Sequence, residues 1–352
     1  MELLKFKDKE IKNYTKPYII AEIGANHNGD MELAKEMIDA AVKCGVDAVK
    51  FQSWTNKSLI AQAEYDRNQK YDDSAKKHFG SLEEMVDKYY LRKEQHYILK
   101  EYCSEKGVEF CSTPFSEEEV DLLDEIGVPF YKVASMDINN YRLLKYIAKK
   151  MKPVILSTGM STLAEIEQAV QAIESTGNKN IVILHCISIY PPAPKDIHLN
   201  NILTLQRIFP SYPVGFSDHT IGISVPLAAV ALGAAVIEKH FTTDKDLPGW
   251  DHEVSADPSE MKLIVKESGI ISDALGSFQR TVSKAEQNKK DKFRRSIVLT
   301  KDMKQGEIIL AEDLTFKRPG THISPDQEQY VIGRTLKKDM KQDELLNWCD
   351  LL

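Results

Sequence analysis

The first three-quarters of the chain alternates between two patterns of apolar and polar residues. Short runs rich in Val, Ile, Ala and Phe are typical of buried strands, and longer stretches between them carry apolar residues at helical spacing. Between residues 31 and 44, for example, Met31, Ala34, Met37 and Ala41 recur near the 3.6-residue period. This alternation predicts parallel strands joined by helices, with the sheet covered on its outer face.

Eight such strands are predicted before residue 245. They are Tyr18–Gly24, Ala48–Gln52, Glu109–Thr113, Phe130–Ser135, Pro153–Thr158, Ile181–Cys186, Pro213–Asp218 and Val236–Thr242. Eight strand–helix units over about 260 residues match an α/β fold of the (β/α)8 TIM-barrel type. A doubly wound open sheet is the structural alternative, but no Gly-x-Gly-x-x-Gly motif follows the first strand.

The pattern of apolar and polar residues changes after Leu275. The polar stretch Ser283–Lys292 has no apolar face and predicts a linker, and short strands separated by turn residues follow it. We therefore expect a barrel over residues 1–280, a linker over 281–292 and a small, mostly β domain over 293–352. Because a domain of this size has a thin core, we expect it to be stabilised by packing against another surface. The strands predicted there are Ser296–Leu299, Ile308–Leu310, Leu314–Lys317 and Gln329–Ile332.

A long connection, Ser53 to Ser81, follows the second strand. Connections of that length in compact domains are usually functional lids or disordered segments. This one contains Trp54, Tyr65, Tyr71 and Phe79. The aromatic residues favour an ordered lid over a linker.

Composition and charge exclude several classes of protein. The formal net charge of -7 argues against a nucleic-acid surface. No apolar run approaches the roughly 20 residues needed to span a membrane, and the N-terminal residues lack the apolar core of an export signal. Five scattered cysteines without a Cys-x-x-Cys motif fit reduced thiols in a cytoplasmic protein. Cys186 ends a strand, where a buried core cysteine is preferred to a nucleophile.

Two histidines lie at the ends of the last two predicted strands. In a (β/α)8 barrel the C-terminal strand ends form the active site, so His219 and His240 would face one space, as the ligands of a divalent metal do. Two structural imidazoles are the alternative. The carboxylates Glu22, Asp218 and Asp251 nearby favour a metal such as Mn²⁺, Mg²⁺, Fe²⁺ or Co²⁺, and no thiolate pattern supports structural zinc.

Neighbouring residues on a strand point to opposite faces, which constrains the last strand. If His240 points into the barrel, Glu238 does so too and Lys239 points towards the helices. A salt bridge on the helix side is the preferred interpretation of Lys239.

Lysines lie inside two other apolar strands. Lys50 and Lys132 would repel each other in one cavity, and that cost indicates a multiply charged ligand. A Schiff-base aldolase is the alternative for one of them, although two lysines beside a metal fit it less well. Groups at neighbouring strand ends that can bind phosphate oxygens, or can simply cap the strands, are Thr113, Ser135, Ser157 and the backbone beside Gly159.

Seven stretches carry a resemblance to a known family. They are Ala21–Gly29, Val49–Gln52, Ser112–Phe115, Tyr131–Ser135, Leu156–Met160, Ser217–Thr220 and Glu238–Phe241. In this order they resemble the sialic acid synthase family along the whole barrel. The tail, with Gly306-Glu-Ile-Ile and Phe316-Lys-Arg-Pro-Gly320, resembles the antifreeze-like (SAF) domain of that family.

The resemblance implies that phosphoenolpyruvate condenses with an N-acetylated hexosamine of the N-acetylmannosamine type, giving a nine-carbon 2-keto acid and phosphate for capsule or glycan biosynthesis. A divalent metal on His219 and His240 would activate the open-chain aldehyde; Mn²⁺ is expected, with Mg²⁺ or Co²⁺ as alternatives. Glu22, Lys50 and Lys132 would be catalytic. The implied substrate-binding residues are Gln52, Thr113, Ser135, Ser157, Ser188, Tyr190, Ser217, Asp251 and Arg318.

Arg318 would come from the small domain of the other subunit of a domain-swapped homodimer. The chain departs from the family pattern at Trp250, Ser188 and His322, all on the sugar side. The choice among neuraminate, legionaminate and pseudaminate as product therefore stays open. Two further alternatives are a condensing aldolase that makes a seven- or eight-carbon acid, which would lack the C-terminal domain, and a non-enzymatic sugar- or metal-binding protein.

Overall fold

The chain forms two compact units in the computed structural model, which describes residues 4–68 and 80–352. The units are Met1–Gly276 and Ser277–Leu352. Within the described residues, none of the helices is both long and apolar enough to cross a membrane.

Eight parallel strands form the first unit, after a short antiparallel hairpin of Lys5–Phe6 and Lys9–Glu10. The strands are β1 Tyr18–Gly24, β2 Ala48–Ser53, β3 Glu109–Pro114, β4 Tyr131–Val133, β5 Val154–Ser157, β6 Ile181–Cys186, β7 Val214–Asp218 and β8 Val236–His240. Each lies within two residues of its predicted bounds. The pattern of apolar residues predicted these bounds well because the strands are buried on both faces and therefore appear as continuous apolar runs.

The order of the strands is β3-β2-β1-β8-β7-β6-β5-β4. The first strand pairs with both β2 and β8, so the sheet curls round into a nearly closed barrel. The prediction of a (β/α)8 barrel is confirmed.

Helices connect the strands and cover the barrel. They are α1 Met31–Cys44, α2 Asn56–Leu59, α3 Gln62–Arg67, α4 Leu82–Tyr89, α5 Lys93–Lys106, α6 Glu117–Ile126, α7 Tyr141–Ala148, α8 Leu163–Glu174, α9 Asn200–Ile208, α10 Ser224–Ala231 and α11 Pro258–Leu275. The first is typical: the Asp30 side chain caps its N-terminus, and Gly45 ends it with φ 84°.

Two apolar layers determine where a ligand can enter. One lies between the strands and the helices, and it includes Phe51, Leu144 and Ile237. The other fills the N-terminal end of the barrel, where the Phe6 and Phe130 rings lie 4.4 Å apart. Because that end is closed by side chains, the opening lies at the C-terminal ends of the strands.

The connection from Ser53 to Ser81 is partly helical. It contains α2 and α3, and Trp54 and Tyr65 are buried in one cluster with Leu82. Tyr71 and Phe79 lie outside the described residues, so the interpretation of this connection as a lid stays a prediction.

The second unit has its own small core. Strands β9 Ser296–Leu299 and β10 Leu314–Lys317 have the predicted bounds, and they pair antiparallel. The helices α12 Lys284–Phe293 and α13 Glu328–Val331 accompany them. Ile297, Leu346 and Leu351 belong to its apolar core.

Two of the four strands predicted in this unit are not strands. Ile308–Leu310 contributes only an isolated bridge from Ile308 to Thr335. Gln329–Ile332 is largely the helix α13 and not a strand; a short apolar run does not distinguish the two, and Pro325 shortly before it favours a helical start. The polar stretch predicted as a linker forms the helix α12, capped by Ser283, and its role as a linker between the domains stays a prediction. Its Lys, Glu and Gln residues favour helix without an apolar face.

Candidate active site

One cavity of about 860 Å³ opens at the C-terminal ends of the strands. It brings together every predicted site residue of the first unit. These are Glu22, Lys50, Gln52, Thr113, Lys132, Ser135, Ser157, Ser188, Tyr190, Ser217, His219, His240 and Asp251. Arg318 belongs to the second unit, where its guanidinium lies 5.0 Å from the Phe293 ring centroid.

Buried charges form the floor of the cavity. The Lys50 ammonium lies 2.6 Å from Glu22 Oε2 and donates to Thr113 Oγ1 at 3.1 Å. Gln52 donates to the other oxygen of Glu22 at 2.8 Å. Burial raises the pKa of Glu22 to about 7, although the charge of Lys50 acts in the opposite direction. The Glu22 carboxyl can therefore hold or release a proton near neutral pH.

Glu238 is a cavity residue that the sequence-based list of site residues omits. Its Oε1 lies 3.4 Å from the Lys132 ammonium and accepts from Ser217 Oγ at 3.1 Å. Burial by itself raises the pKa of Glu238, but attraction to Lys132 and Lys50 lowers it overall. The signal was present in the sequence, because Glu238 shares the inner face of β8 with His240.

Several buried polar atoms of the cavity have no hydrogen-bond partner among the described residues. They are Ser157 Oγ, Glu238 Oε2 and His240 Nδ1. Such atoms are rare in folded proteins because each costs roughly 1–3 kcal/mol. Their concentration in one cavity indicates that a ligand or ion completes their bonding.

Hydroxyl groups crowd around Gly159, after β5. A Cβ atom at this position would overlap the hydroxyls of Ser135 and Ser188, so glycine is required for both to reach the cavity. The Gly159 N–H already donates to Ser135 Oγ at 2.9 Å. This amide is engaged in the structure, whereas the sequence suggested it as a free phosphate donor.

The two histidines lie side by side, with ring centroids 5.5 Å apart. His219 Nδ1 donates to the Ile187 carbonyl at 2.7 Å, which leaves Nε2 as the nitrogen with a free lone pair. The Tyr190 ring stacks on His219 at 4.0 Å. Burial, with the nearby charge of His219, holds the pKa of His240 well below its usual range, so the His240 imidazole is neutral.

Cys186 lies at the edge of this pair. It lines the cavity and interacts with His219. Burial raises the pKa of Cys186, but the interaction with His219 and the nearby charge of Lys132 outweigh burial, and the pKa is lowered overall. The cysteine is buried, as expected, but it faces the cavity.

The donors present fit a metal ion with open coordination positions. His240 offers a neutral imidazole whose Nδ1 has no hydrogen-bond partner, and His219 offers Nε2. Residues 4–68 and 80–352 contain no group of three or more His, Cys, Asp and Glu side chains arranged to hold an ion. The protein would thus supply two nitrogen ligands and leave the rest to water or substrate, as catalytic sites do.

Lys239 and Asp218 face away from the cavity, on the helix side. The Lys239 ammonium donates to Asp218 Oδ2 at 2.7 Å and to the Thr220 carbonyl at 2.6 Å. The predicted helix-side salt bridge of Lys239 is thereby present. Asp218, which the sequence placed beside the histidines, is its partner, because alternate residues of β7 point to opposite faces.

Aromatic and aliphatic side chains form one side of the cavity. We call this group the apolar wall; its members are Trp54, Ile60, Leu82, Phe115 and Trp250. The rings of Trp54 and Trp250 lie 5.8 Å apart, and Trp54 and Phe115 6.1 Å. From the sequence, Trp250 was expected either to influence sugar binding or to be a packing change on a loop. In the structure it lines the cavity and packs against Trp54.

Comparison with known proteins gives one consistent result. Residues 37–280 match the NeuB family and residues 294–352 the SAF domain. The chain is 41% identical to the N,N'-diacetyllegionaminic acid synthase of Legionella pneumophila, covering 94% of this chain and 93% of the relative. It is 42% identical to the synthase of the same name from Campylobacter jejuni, covering 94% and 99%.

Two more distant proteins extend this result. The human N-acetylneuraminate-9-phosphate synthase is 33% identical, over 94% of this chain and 91% of the relative. The crystal structure of the N-acetylneuraminic acid synthetase from Leptospira borgpetersenii superimposes with a TM-score of 0.73 at 35% identity, covering 82% of this chain and 95% of that chain.

Proposed function

The chain belongs to the NeuB family and is a phosphoenolpyruvate-dependent synthase of the transferase class, and from this premise we propose that it condenses phosphoenolpyruvate with an N-acetylated hexosamine of the N-acetylmannosamine type. The products are a nine-carbon 2-keto acid and phosphate. The observation that carries the proposal is the cavity floor, where two buried lysines meet two carboxylates beside a pair of histidines.

The lysines hold the anionic substrate in this proposal. Lys50 and Lys132 offset the charge of the phosphate and the carboxylate, since a charge-assisted bond in a buried site is much stronger than in water. Thr113, Ser135 and Ser157 add hydroxyl donors at the neighbouring strand ends. Ser157 is suited to this because its hydroxyl has no hydrogen-bond partner within the described part of the chain.

The bond changes follow from the chemistry of an enol phosphate. Its terminal carbon attacks the aldehyde carbon of the open-chain sugar, and water adds to the cationic carbon that results. The tetrahedral intermediate then collapses and its C–O bond to phosphate breaks. In this proposal Glu22, with a pKa of about 7, accepts a proton from the water and returns one to the alkoxide formed from the aldehyde oxygen.

The histidines are assigned to a divalent cation, with Mn²⁺ expected. His219 and His240 would hold the ion, which when bound supplies Lewis-acid polarisation of the aldehyde oxygen. Asp251, whose carboxylate lies 3.8 Å from His240 Nδ1, would contact the sugar together with Gln52, Ser188, Tyr190 and Ser217.

A sugar with two N-acetyl groups is a second candidate. The relatives named N,N'-diacetyllegionaminic acid synthase are 41% and 42% identical to this chain, against 33% for the human N-acetylneuraminate-9-phosphate synthase. The difference favours a diamino-dideoxy sugar and a legionaminate-type product.

Assembly as a homodimer completes the proposal. Arg318 from the second unit of one copy would reach the substrate of the other, as the family resemblance implies. All five cysteines are free, in keeping with a reducing cytoplasm. Measurement of the native mass tests the assembly, because a fully active monomer would contradict the role given to Arg318.

The direct test is phosphate release from phosphoenolpyruvate with Mn²⁺ and a panel of N-acetylated hexosamines. We expect release that depends on one sugar, with an equal amount of 2-keto acid. EDTA should abolish turnover and Mn²⁺ restore it. Release with no sugar at all would leave a binding protein as the better interpretation, and full activity of metal-free protein would remove the role of the histidines.

A further inference from the structure

A connecting segment carries one of the residues assigned to the sugar. Asp251, whose carboxylate lies 3.8 Å from His240 Nδ1, belongs to residues 241–256, which lead from β8 towards α11. A side chain on such a connection is held less precisely than one on a strand, unless supporting contacts fix it. The bonds that residues 241–256 make to the rest of the barrel therefore determine where the Asp251 carboxylate lies.

Backbone bonds fix the two ends of this segment. The Phe241 N–H donates to the Glu22 carbonyl at 2.8 Å, and the Ala256 N–H donates to the His240 carbonyl at 2.7 Å. Phe241 and Ala256 also pair with each other as a parallel bridge. These bonds hold the first and last residues of the segment against β1 and β8, but they do not include Asp251.

One buried side chain connects the ends of the segment to Asp251. Asn26 lies in the turn after β1, and its Nδ2 donates to the Phe241 carbonyl and to Ser255 Oγ, both at 2.9 Å. Ser255 Oγ in turn donates to the Asp251 carbonyl at 2.6 Å. The directions are fixed because a carbonyl oxygen cannot donate, so the hydroxyl hydrogen goes to Asp251 and a lone pair is left for Asn26. Asn26 is thus two hydrogen bonds away from the backbone of Asp251.

Asn26 differs from a second fully buried asparagine, Asn178, which precedes β6 at the opposite end of the barrel. Asn178 Nδ2 donates to the carbonyls of Ala148 and Lys152, at 3.1 and 2.8 Å, and its Oδ1 accepts from the Asn180 N–H at 2.9 Å. Asn26 Oδ1 has no hydrogen-bond partner among the described residues. Because an unsatisfied buried carbonyl is destabilising, Asn26 contributes less to stability than Asn178, and what distinguishes it is the segment that its Nδ2 holds.

We propose that Asn26 is a positioning residue for the reaction, and that through Ser255 it holds the Asp251 carboxylate where the sugar binds. The proposal rests on the proposed function, in which Asp251 contacts the sugar. Asn26 is buried outside the cavity, so it acts through Ser255 and not by touching a substrate. Its amide also ties the segment to the end of β1, the strand that carries Glu22.

The main test is the steady-state kinetics of Asn26→Ala. The variant leaves the Phe241 carbonyl and the Ser255 hydroxyl without their donor, so the Asp251 carboxylate is no longer fixed. The sugar is N-acetylmannosamine or a 2,4-diacetamido-2,4,6-trideoxyhexose, whichever the wild type uses faster. We expect kcat/KM for the sugar to fall about tenfold, since a misplacement of about 1 Å can cost up to 10²-fold. The loss should lie chiefly in KM for the sugar, with KM for phosphoenolpyruvate within about twofold of the wild type.

Asn178→Ala is the matched control. It also deletes a fully buried amide that donates twice, so it should lower the urea concentration of unfolding at least as much as Asn26→Ala does. It should nevertheless leave KM for the sugar unchanged, because Asn178 lies far from residues 241–256. If the two variants raise KM for the sugar equally, the effect is one of general stability and the positioning role is wrong.

Ser255→Ala tests the route and keeps the experiment usable if Asn26→Ala fails to fold. It removes the bond to the Asp251 carbonyl and leaves the bond from Asn26 to Phe241, so it should also raise KM for the sugar. The double variant should raise KM no further than the larger of the two single effects, because neighbours in one network are not additive. Multiplied effects would show that Asn26 does not act through Ser255.

The outcomes separate the positioning role from the proposed function. Phosphate release by the wild type, with an unchanged KM for the sugar in Ser255→Ala or Asn26→Ala, would overturn the role of Asn26 and leave the proposed function standing. Absence of release by the wild type with every sugar would remove the proposed function, and the role of Asn26 with it.

Discussion

The barrel contains buried lysine–carboxylate pairs on both sides of its strands, and they differ in how fully they are satisfied. On the helix side, Lys239 donates to Asp218 and to the Thr220 carbonyl, and the other oxygen of Asp218 accepts from the Thr220 N–H at 2.9 Å. On the cavity side, the Lys132–Glu238 pair leaves Glu238 Oε2 without a hydrogen bond from the described residues.

This difference separates structural charges from charges kept for a ligand. A buried ion pair is tolerated when further hydrogen bonds satisfy its remaining atoms, as around Asp218. An incompletely satisfied pair destabilises the free protein, and the cost is recovered only when another molecule binds. The degree of satisfaction therefore assigns Lys239 to the fold and Lys132 to the site, although both are at most 3% exposed.

The largest expected effect is on stability, from Lys239→Met. Removal of the ammonium leaves Asp218 buried without its counter-charge and the Thr220 carbonyl without a donor. Breaking a buried pair in this way costs about 3–5 kcal/mol of unfolding free energy. Urea unfolding followed by circular dichroism measures the loss. His219 lies between Asp218 and Thr220, so a weaker affinity for Mn²⁺ in titration calorimetry should accompany it.

A double variant distinguishes the pair from the space it fills. Lys239→Met combined with Asp218→Leu removes both charges, and we expect it to recover much of the lost stability, since apolar replacement of a whole buried pair is often neutral. If Lys239→Met alone unfolds at the wild-type urea concentration, the assignment of this pair to the fold is wrong.

At Lys132 we expect a large loss of activity, whereas at Lys239 we expect a large loss of stability. Lys132→Met removes a charge proposed to act on the phosphate or carboxylate, and loss of one such group costs about 10²- to 10³-fold in turnover. Unfolding should change less than in Lys239→Met, because Glu238 keeps the attraction of Lys50 and the hydrogen bond from Ser217. Steady-state kinetics with phosphoenolpyruvate as the varied substrate measures the effect, with the exposed Lys149→Ala as control; wild-type kinetics for Lys132→Met would exclude Lys132 from the site.

The sequence predicted the barrel well for a physical reason. Its strands are buried on both faces, so each appears as an apolar run whose last residues point into the cavity. The positions of Lys50, Lys132, His219 and His240 on one face follow from strand alternation and barrel closure alone. In the second unit the strands are short and the core is thin, and there the apolar run 329–332 was assigned to the wrong element.

The remaining features depend on contacts that a sequence does not encode locally. Strand alternation places Glu238 inside, but its missing hydrogen bond and its distance from Lys132 need the closed barrel. The apolar wall joins residues from three separate connections, and nothing in the spacing of Ile60, Phe115 and Trp250 predicts that they meet. Asp218 was misplaced because its nearness to His219 in sequence outweighed the alternation of faces.

A smaller effect tests whether a bound ligand completes the interactions of the charged residues in the cavity. Phosphoenolpyruvate at 100 times its Kd should raise the unfolding free energy of the wild type by about 2.7 kcal/mol, the value that linkage requires for one site. Lys132→Met should lose most of this gain at the same concentration, and Lys239→Arg, if folded, should keep it. Thermal unfolding with and without the ligand measures the difference. Equal gains in the wild type and Lys132→Met would show that the cavity lysine does not bind this substrate.

The smallest expected effect concerns His27, a buried and incompletely satisfied group that does not line the cavity. Its Nδ1 accepts from the Gly29 N–H at 3.0 Å, and its Nε2 has no hydrogen-bond partner among the described residues. Burial lowers the pKa of His27 to about 4. Between that pH and about 6.5, where an unfolded histidine titrates, the unfolded chain binds more protons than the folded one, so stability falls as the pH is lowered. Between pH 7 and pH 5 the titration of His27 should lower the free energy of unfolding by about 2 kcal/mol. His27→Phe forfeits the bond to Gly29 at every pH but should show a correspondingly shallower loss in urea titrations at the two pH values. If the wild type and His27→Phe lose the same unfolding free energy between the two pH values, the His27 imidazole is protonated in the folded state. The unsatisfied buried atom outside the cavity would then carry no measurable cost.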